Sequence, residues 1–427
     1  MSMHADLVFT HIGQLATTTG YSEHAQGGRS LGTLTVHEDA FLAVSGERVL
    51  ALGPNETAAD YIGPDTIVHS LEGRTVLPGF VDPHTHLIFA GWRERELAMK
   101  LQGKSYLEIL AAGQGILSTV THTRAASLDE LVRLGRKSLD RMLLSGTTTV
   151  EAKSGYGLTT ESELRQLAAA TQLQAEHPVD VVSTFMGAHA IPPEYQGRTE
   201  DYVELVISEM LPAVAAANLA TFCDVFCEDG VFSVQESRRI LQAGRQFGLL
   251  PKLHADELVS FGGAELAAEL EAVSADHLLY ASPAGISAMA RANVVAVLLP
   301  GTSFTLRSRK LPDVATMLAA DLPIALATDF NPGTCPTESM QMVLTLAWQS
   351  LGLTPAQAIA AATINAAHAL GLGKSVGSLE PGKLADFVVY DAPNFDFIAY
   401  HFGVNLVEHV FKRGRQVVNQ GSLVSNA

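Results

Sequence analysis

Apolar positions along this chain fall into three stretches with different rhythms. Up to about residue 75 they form short runs, Asp6-Leu7-Val8-Phe9 and Phe41-Leu42-Ala43-Val44, parted by Gly-rich turns and without helical periodicity, which predicts a small sheet. From Gly79 to about residue 370, strand-like runs alternate with helical patterns, the rhythm of repeated βα units around a parallel sheet. Eight strands are predicted there: Gly79–Phe89, Thr147–Ala152, Val179–Gly187, Thr221–Phe226, Leu250–His254, Ala272–His277, Asn293–Leu299 and Pro323–Thr328. Between them, Ser127-x-x-Glu130 and Ser233-x-x-Glu236 open helices, and Gly146 closes the first.

After Gly377 the β rhythm returns in Ala385–Tyr390 and Val407–Phe411, with Gly382 and Gly414 as turn residues. Two half-sheets too small to bury a core alone gain apolar burial by joining. The expected fold is therefore α/β: a (β/α)8 TIM-type barrel over residues 78–374, and a smaller composite β-sandwich domain assembled from residues 1–77 and 375–427.

Charge narrows the possible partners. Against 28 Lys and Arg stand 45 Asp and Glu, a net charge of −17, which excludes nucleic acid as the expected partner. Three cysteines, Cys223, Cys227 and Cys335, cannot supply a disulfide framework and are read as small buried hydrophobes. The most apolar long stretch, around residues 203–222, is broken by Glu204, Glu209 and Pro212, so no membrane span is expected. With no secretory signal pattern at the N-terminus, the expectation is a cytoplasmic protein acting on a small molecule, with a homodimer as the default assembly.

Candidate chemistry collects at the C-terminal ends of the predicted strands. His84 and His86, two apart at the end of the first, present both imidazoles to one side. One His-x-His pair is weak evidence for a metal. Here, however, His189 follows strand three, His254 ends strand five, His277 ends strand six and Asp329 follows strand eight, so all would face the same mouth. For each of these residues taken singly, a hydrogen-bonded polar group at a strand end is the ordinary explanation, and only their recurrence argues for a site.

With this pattern the chain resembles the amidohydrolase superfamily, whose metal ligands are His-x-His on the first strand, His on the fifth and Asp on the eighth. The resemblance implies that His84, His86, His254 and Asp329 hold one divalent or trivalent metal ion, zinc or iron. Two-metal members carry a bridging lysine or glutamate at the end of strand four. That strand here ends in Val225-Phe226-Cys227-Glu228, offering no lysine and leaving Glu228 as the one possible bridge, so a single metal is expected. The segments Phe89-Ala90-Gly91-Trp92-Arg93, Lys153-Ser154-Gly155-Tyr156-Gly157, Gly187-Ala188-His189, His254-Ala255-Asp256-Glu257 and Asp329-Phe330-Asn331-Pro332-Gly333-Thr334 are similar to a narrower branch of the superfamily. That branch hydrolyses the cyclic amide of 4-imidazolone-5-propanoate to N-formimidoyl-L-glutamate in histidine degradation.

The same resemblance distributes roles. Arg93 would grip the substrate's propanoate with its planar fork. Tyr156, His189, Glu257, Asn331, Gly333 and Thr334 would line the pocket, and Glu257, His277 and Asp329 would move protons or balance charge. Spacing alone would make Arg93 a surface partner of Glu94 or Glu96, and Asn-Pro-Gly a simple turn. Lys153 is read as a loop-anchoring or supporting cation, and Arg307, Arg309 and Lys310 as a basic cluster able to steer an anion. Two rivals stand beside this reading: a deaminase or a hydrolase of another cyclic amide or amidine on the same fold, and a catalytically silent scaffold protein.

Overall fold

A computed structural model of the protein describes residues 4–103 and 115–424. The N-terminal segment supplies five strands: β1 (Leu7–Thr17), β2 (Thr35–Ser45), β3 (Arg48–Pro54), β4 (Ile67–Ser70) and β5 (Thr75–Pro78). The C-terminal segment supplies four more. Between them lie β6 (Phe80–Asp82), β7 (Thr147–Lys153), β8 (Asp180–Ala188), β9 (Phe222–Cys227), β10 (Leu250–Ala255), β11 (Ser274–His277), β12 (Val295–Leu298) and β13 (Ile324–Leu326). These eight pair in sequence order, all parallel, and helices cover their outer face.

All eight predicted strands are present, but the first is far shorter than the expected Gly79–Phe89. Pro83 has no N–H to give to a ladder, and regular pairing stops just before it. The chain then rejoins the sheet on its other side. Thr85 bridges Phe330, His86 N donates to Phe330 O at 2.9 Å and Asp329 N donates to His84 O at 3.0 Å. These bonds close the sheet into a barrel, and the closing seam runs through the residues carrying the candidate ligands.

Both predicted helix starts are capped. Ser127 accepts from Glu130 N, and Ser233 forms the reciprocal pair with Glu236. In the first case the Glu130 carboxylate turns outward to Arg133, so only half of the expected box forms.

The chain ends meet in one nine-stranded sheet, completed by β14 (Phe387–Tyr390), β15 (Val407–Lys412), β16 (Arg415–Asn419) and β17 (Ser422–Leu423). The joint is the antiparallel pairing of β5 with β14, Leu77 opposite Val388. Strand β1 bends where its register with β2 shifts between Phe9 and Ile12, with His11 at φ 51. Its first half then pairs with β4 and its second with β5. The bend lets Phe9 pack edge-on against Phe387 and Phe411, at 5.0 and 4.8 Å, although those rings lie on strands further along the sheet. Each ring so buried contributes roughly 1.5–3 kcal/mol of hydrophobic stabilisation. No described helix is long and apolar enough to cross a membrane.

Candidate active site

The seam fixes the mouth of the barrel. Asp82, the last residue of β6, accepts Thr328 N at 3.0 Å and Thr328 Oγ1 at 2.5 Å, tying the end of the first barrel strand to the end of the eighth. His84 and His86 follow on one side, Asp329 on the other. His254 lies near the end of β10 and His277 ends β11. His277 and Asp329 both have left-handed backbone, φ 75 and 55, a conformation that L-residues adopt at some cost and that turns side chains off the strand direction.

These groups converge. His84 Nε2 lies 3.4 Å from Asp329 Oδ1, His86 Nε2 lies 3.7 Å from the same oxygen, and His254 Nε2 lies 3.4 Å from His86 Nε2. Around a tetrahedral metal with bonds of ~2.0–2.1 Å, ligand atoms stand roughly 3.3 Å apart, so these separations match the edges of such a shell. His84 Nε2, His86 Nδ1 and both ring nitrogens of His277 are buried without a hydrogen-bond partner. Buried polar atoms are rarely left so, and of these His84 Nε2 faces the Asp329 carboxylate, where a cation would satisfy it. His277 also falls within ligand range of His84 and His254. This buried histidine and aspartate cluster can coordinate a divalent metal.

Protonation suits the same use. Burial, reinforced by the neighbouring cationic groups, holds His84, His86 and His277 well below the usual imidazole range and His189 at about 3, leaving them neutral. His254 departs from this. Burial pulls it down, but the adjacent Asp224 carboxylate outweighs burial and raises it. Burial, followed by the charge of Asp329, pushes Glu257 up to about 8, so its carboxyl keeps a proton at neutral pH.

Beneath the histidines lies a layer of charge of which the sequence pointed only to Lys153, as a supporting cation. His84 Nδ1 donates to Asp276 Oδ2 at 2.6 Å, which leaves its Nε2 lone pair facing the cluster, and His254 Nδ1 donates to Asp224 Oδ1 at 3.1 Å, which turns its Nε2 the same way. Lys153, fully buried, donates to Asp224 Oδ2 at 2.6 Å and Glu151 Oε1 at 3.0 Å, and lies 3.4 Å from Asp276 Oδ2. Lys252 donates to Glu151 Oε2 at 2.8 Å and to the Pro83 carbonyl at 3.0 Å. Alternation was the available signal: Glu151 with Lys153, Lys252 with His254 and Ser274 with Asp276 share the inward side of their strands.

The predicted pocket residues gather at the rim. His189 stacks on His86, ring centroids 4.7 Å apart at 12°, and Tyr156 meets both rings. Arg93 N donates to Pro332 O at 3.2 Å, and its guanidinium rests on Gly333 so closely that a Cβ there would fall 1.2 Å from Nη2. Only glycine leaves room for it. Arg93 Nε lies 3.5 Å from Glu96 Oε1 without a hydrogen bond. Asn331 Oδ1 accepts Gly333 N and Thr334 N, and its Nδ2 donates to Asp329 O and Thr334 Oγ1, so these groups are engaged in the turn that seats Arg93. Glu257 Oε1 stands 3.6 Å from His277 Nδ1.

Other candidates fall elsewhere. Glu228, the possible bridge, turns its carboxylate to Leu258 N at 2.7 Å and Asp229 N at 3.1 Å, supporting the loop beyond Glu257. Arg307, Arg309 and Lys310 are exposed. The three cysteines are free and buried.

Similarity to known proteins agrees with this arrangement. Residues 75–417 match the Amidohydrolase family. An imidazolonepropionase of Alkaliphilus oremlandii (strain OhILAs) is 51% identical over 423 residues, covering 99% of this chain and 100% of that protein. One of Shouchella clausii (strain KSM-K16) is 53% identical over 414 residues, covering 96% of this chain and 92% of that protein. Among solved structures, a zinc-bound adenosine deaminase of Xanthomonas campestris superposes with a TM-score of 0.72 at 19% identity, covering 100% of this chain and 96% of its own. Guanine deaminase of E. coli gives 0.67 at 16% identity, covering 97% and 99%. These two share the fold.

Proposed function

The chain belongs to the amidohydrolase family, and on that premise we propose that it hydrolyses the ring amide of 4-imidazolone-5-propanoate to N-formimidoyl-L-glutamate, a step of histidine degradation. The observation that carries this reading is the meeting of His84, His86, His254 and Asp329 at one buried point, in a mouth whose rim also holds an arginine seated on Gly333. A single zinc or iron ion is the cofactor we assign, because three imidazoles and one carboxylate accept either. When bound, it supplies Lewis acidity and makes a water acidic enough to attack at neutral pH.

The chain's own residues do the rest. The propanoate is an anion entering a protein of net charge −17, so a local cation must receive it. Arg93 does so with two parallel N–H groups, which fix orientation as well as position. Tyr156 and His189 form a wall against the ring. Asp329, whose Oδ1 faces His84 and His86 as a ligand oxygen would, takes the proton of the attacking water through its other oxygen, Oδ2, which also accepts the Thr302 hydroxyl. His277, with both ring nitrogens unengaged, donates to the oxygen that gains charge as the carbonyl is attacked. Glu257, which retains its proton at neutral pH, delivers it to the departing ring nitrogen.

The test is a substrate panel with metal quantification. Purified, metal-loaded protein should consume 4-imidazolone-5-propanoate and release N-formimidoyl-L-glutamate, and should leave aminopurines and other cyclic amides untouched. Turnover of a purine, with none of the imidazolone, would sink the assignment.

A further inference from the structure

Between β7 and the helix Thr160–Glu176 the chain makes a tight loop that carries Tyr156. Four successive amides of this loop are accepted by two side chains of that one helix. Glu163 Oε2 accepts Gly155 N at 3.0 Å, and its Oε1 accepts Gly157 N and Leu158 N, each at 2.8 Å. Gln166 Oε1 accepts the amide between them, Tyr156 N, at 3.1 Å. The two side chains are three apart, on one face of the helix, and both are buried.

The Glu163 carboxylate also takes the Ser154 hydroxyl, in the same loop. Thr159 already caps the helix by accepting from Ser162 N. A buried carboxylate is expensive unless charge or hydrogen bonds offset its lost hydration; burial still raises the Glu163 carboxyl, against the Ser154 hydroxyl and the loop amides, which lower it. Gln166 also works in a second direction: its Nε2 donates to the Ile88 carbonyl at 2.6 Å, in the segment that leads from His86 to Arg93. One side-chain amide thus cross-links the loop that carries Tyr156 to the segment that carries Arg93.

The loop in turn sets the neighbouring histidine. His189 Nδ1 donates to the Gly155 carbonyl at 3.1 Å, so its Nε2 carries the lone pair. Gly155 has φ 108, and a Cβ there would lie 2.8 Å from the His189 ring. The glycine is required for both reasons.

We propose that Glu163 and Gln166 are positioning residues for substrate recognition: together they fix the separation between the Tyr156 and His189 wall and the Arg93 arm. This rests on the functional reading above, because the separation matters only for a substrate that is held at both its ring and its carboxylate.

The experiment uses full-length, metal-loaded protein carrying Gln166→Met, Gln166→Glu or Glu163→Gln. Amide exchange of the peptide spanning residues 154–158 is measured alongside kcat and KM. Kinetics are read with 4-imidazolone-5-propanoate and with the same ring lacking its propanoate arm. For Gln166→Met and Glu163→Gln the loop should exchange at least tenfold faster, with KM for the full substrate raised about tenfold and kcat within about threefold. The ring-only compound should show little change in KM. Gln166→Glu keeps the acceptor for Tyr156 N and loses the donor to Ile88, so KM should rise while the loop stays protected. If Gln166→Met does not fold, this variant and Glu163→Gln carry the test.

An unchanged KM in all folded variants overturns the proposal, as does a fall in kcat and metal content with KM unmoved. Should the unmodified protein fail to turn over the propanoate substrate, the functional reading fails. The exchange data then decide the clamp separately: faster exchange upholds it and unaltered exchange rejects it.

Discussion

The interior of the terminal sheet and the interior of the barrel mouth are both shielded from water, yet they are filled with opposite chemistry. In the sheet, Phe9, Phe387 and Phe411 pack ring on ring among Leu15, Val76 and Val389. In the barrel, Glu151, Lys153, Asp224, Lys252 and Asp276 occupy strand positions that an ordinary barrel fills with branched aliphatic residues. Replacing such buried ion networks with apolar side chains often raises stability, so they are weak evidence of a stabilising role. The sheet holds the chain together, and the charged layer orients His84 and His254.

This comparison can be broken most decisively at the cluster itself. His84→Ala and Asp329→Asn should each lower kcat more than about 1000-fold. Circular dichroism and the urea midpoint should stay close to those of the unmodified protein. Unfolding of both variants would make the mouth a structural element and erase the contrast. The complementary change is Phe387→Ala, which should cost about 3–5 kcal/mol in urea denaturation through the cavity it leaves. Turnover per folded molecule should not change; a large drop in kcat would show that the sheet tunes the site.

Smaller effects sharpen the division within the barrel. Asp276→Asn or Asp224→Asn should weaken metal affinity about 10–100-fold, read by competition with a chromophoric chelator. Affinity within a factor of two of the original would remove the orienting role from the carboxylates. Gly333→Ala should displace the Arg93 guanidinium and raise KM for the propanoate substrate about tenfold. Metal content should be unaltered, and an unmoved KM would separate Arg93 from recognition.

Much of the fold was legible because strand ends and helix starts are local signals. The eight runs, the serine caps and the histidines at strand termini all sit where short-range pattern places them. What could not be read was register. Asp224 sits within Phe-Cys-Asp-Val-Phe-Cys as an unremarkable polar position, and its partnership with Lys153 and His254 exists only because β7, β9 and β10 align as they do. The fit of Arg93 on Gly333 is likewise a contact between residues 240 positions apart in the chain. The first strand was over-extended because its apolar run continues through Leu87-Ile88-Phe89, whereas one missing amide, at Pro83, ends the regular ladder.

The bonds of the Thr85–Phe330 seam join two stretches of chain separated by more than half its length. Contacts of such wide sequence separation carry a large loop-closure entropy and form after local ones. During synthesis, therefore, the cluster stays incomplete until the eighth strand has emerged and docked, because Asp329 lies just beyond it, and a finished mouth reports that the whole ring has closed. An ion seated across the seam would act as its clasp, resisting reopening in proportion to how tightly it is held.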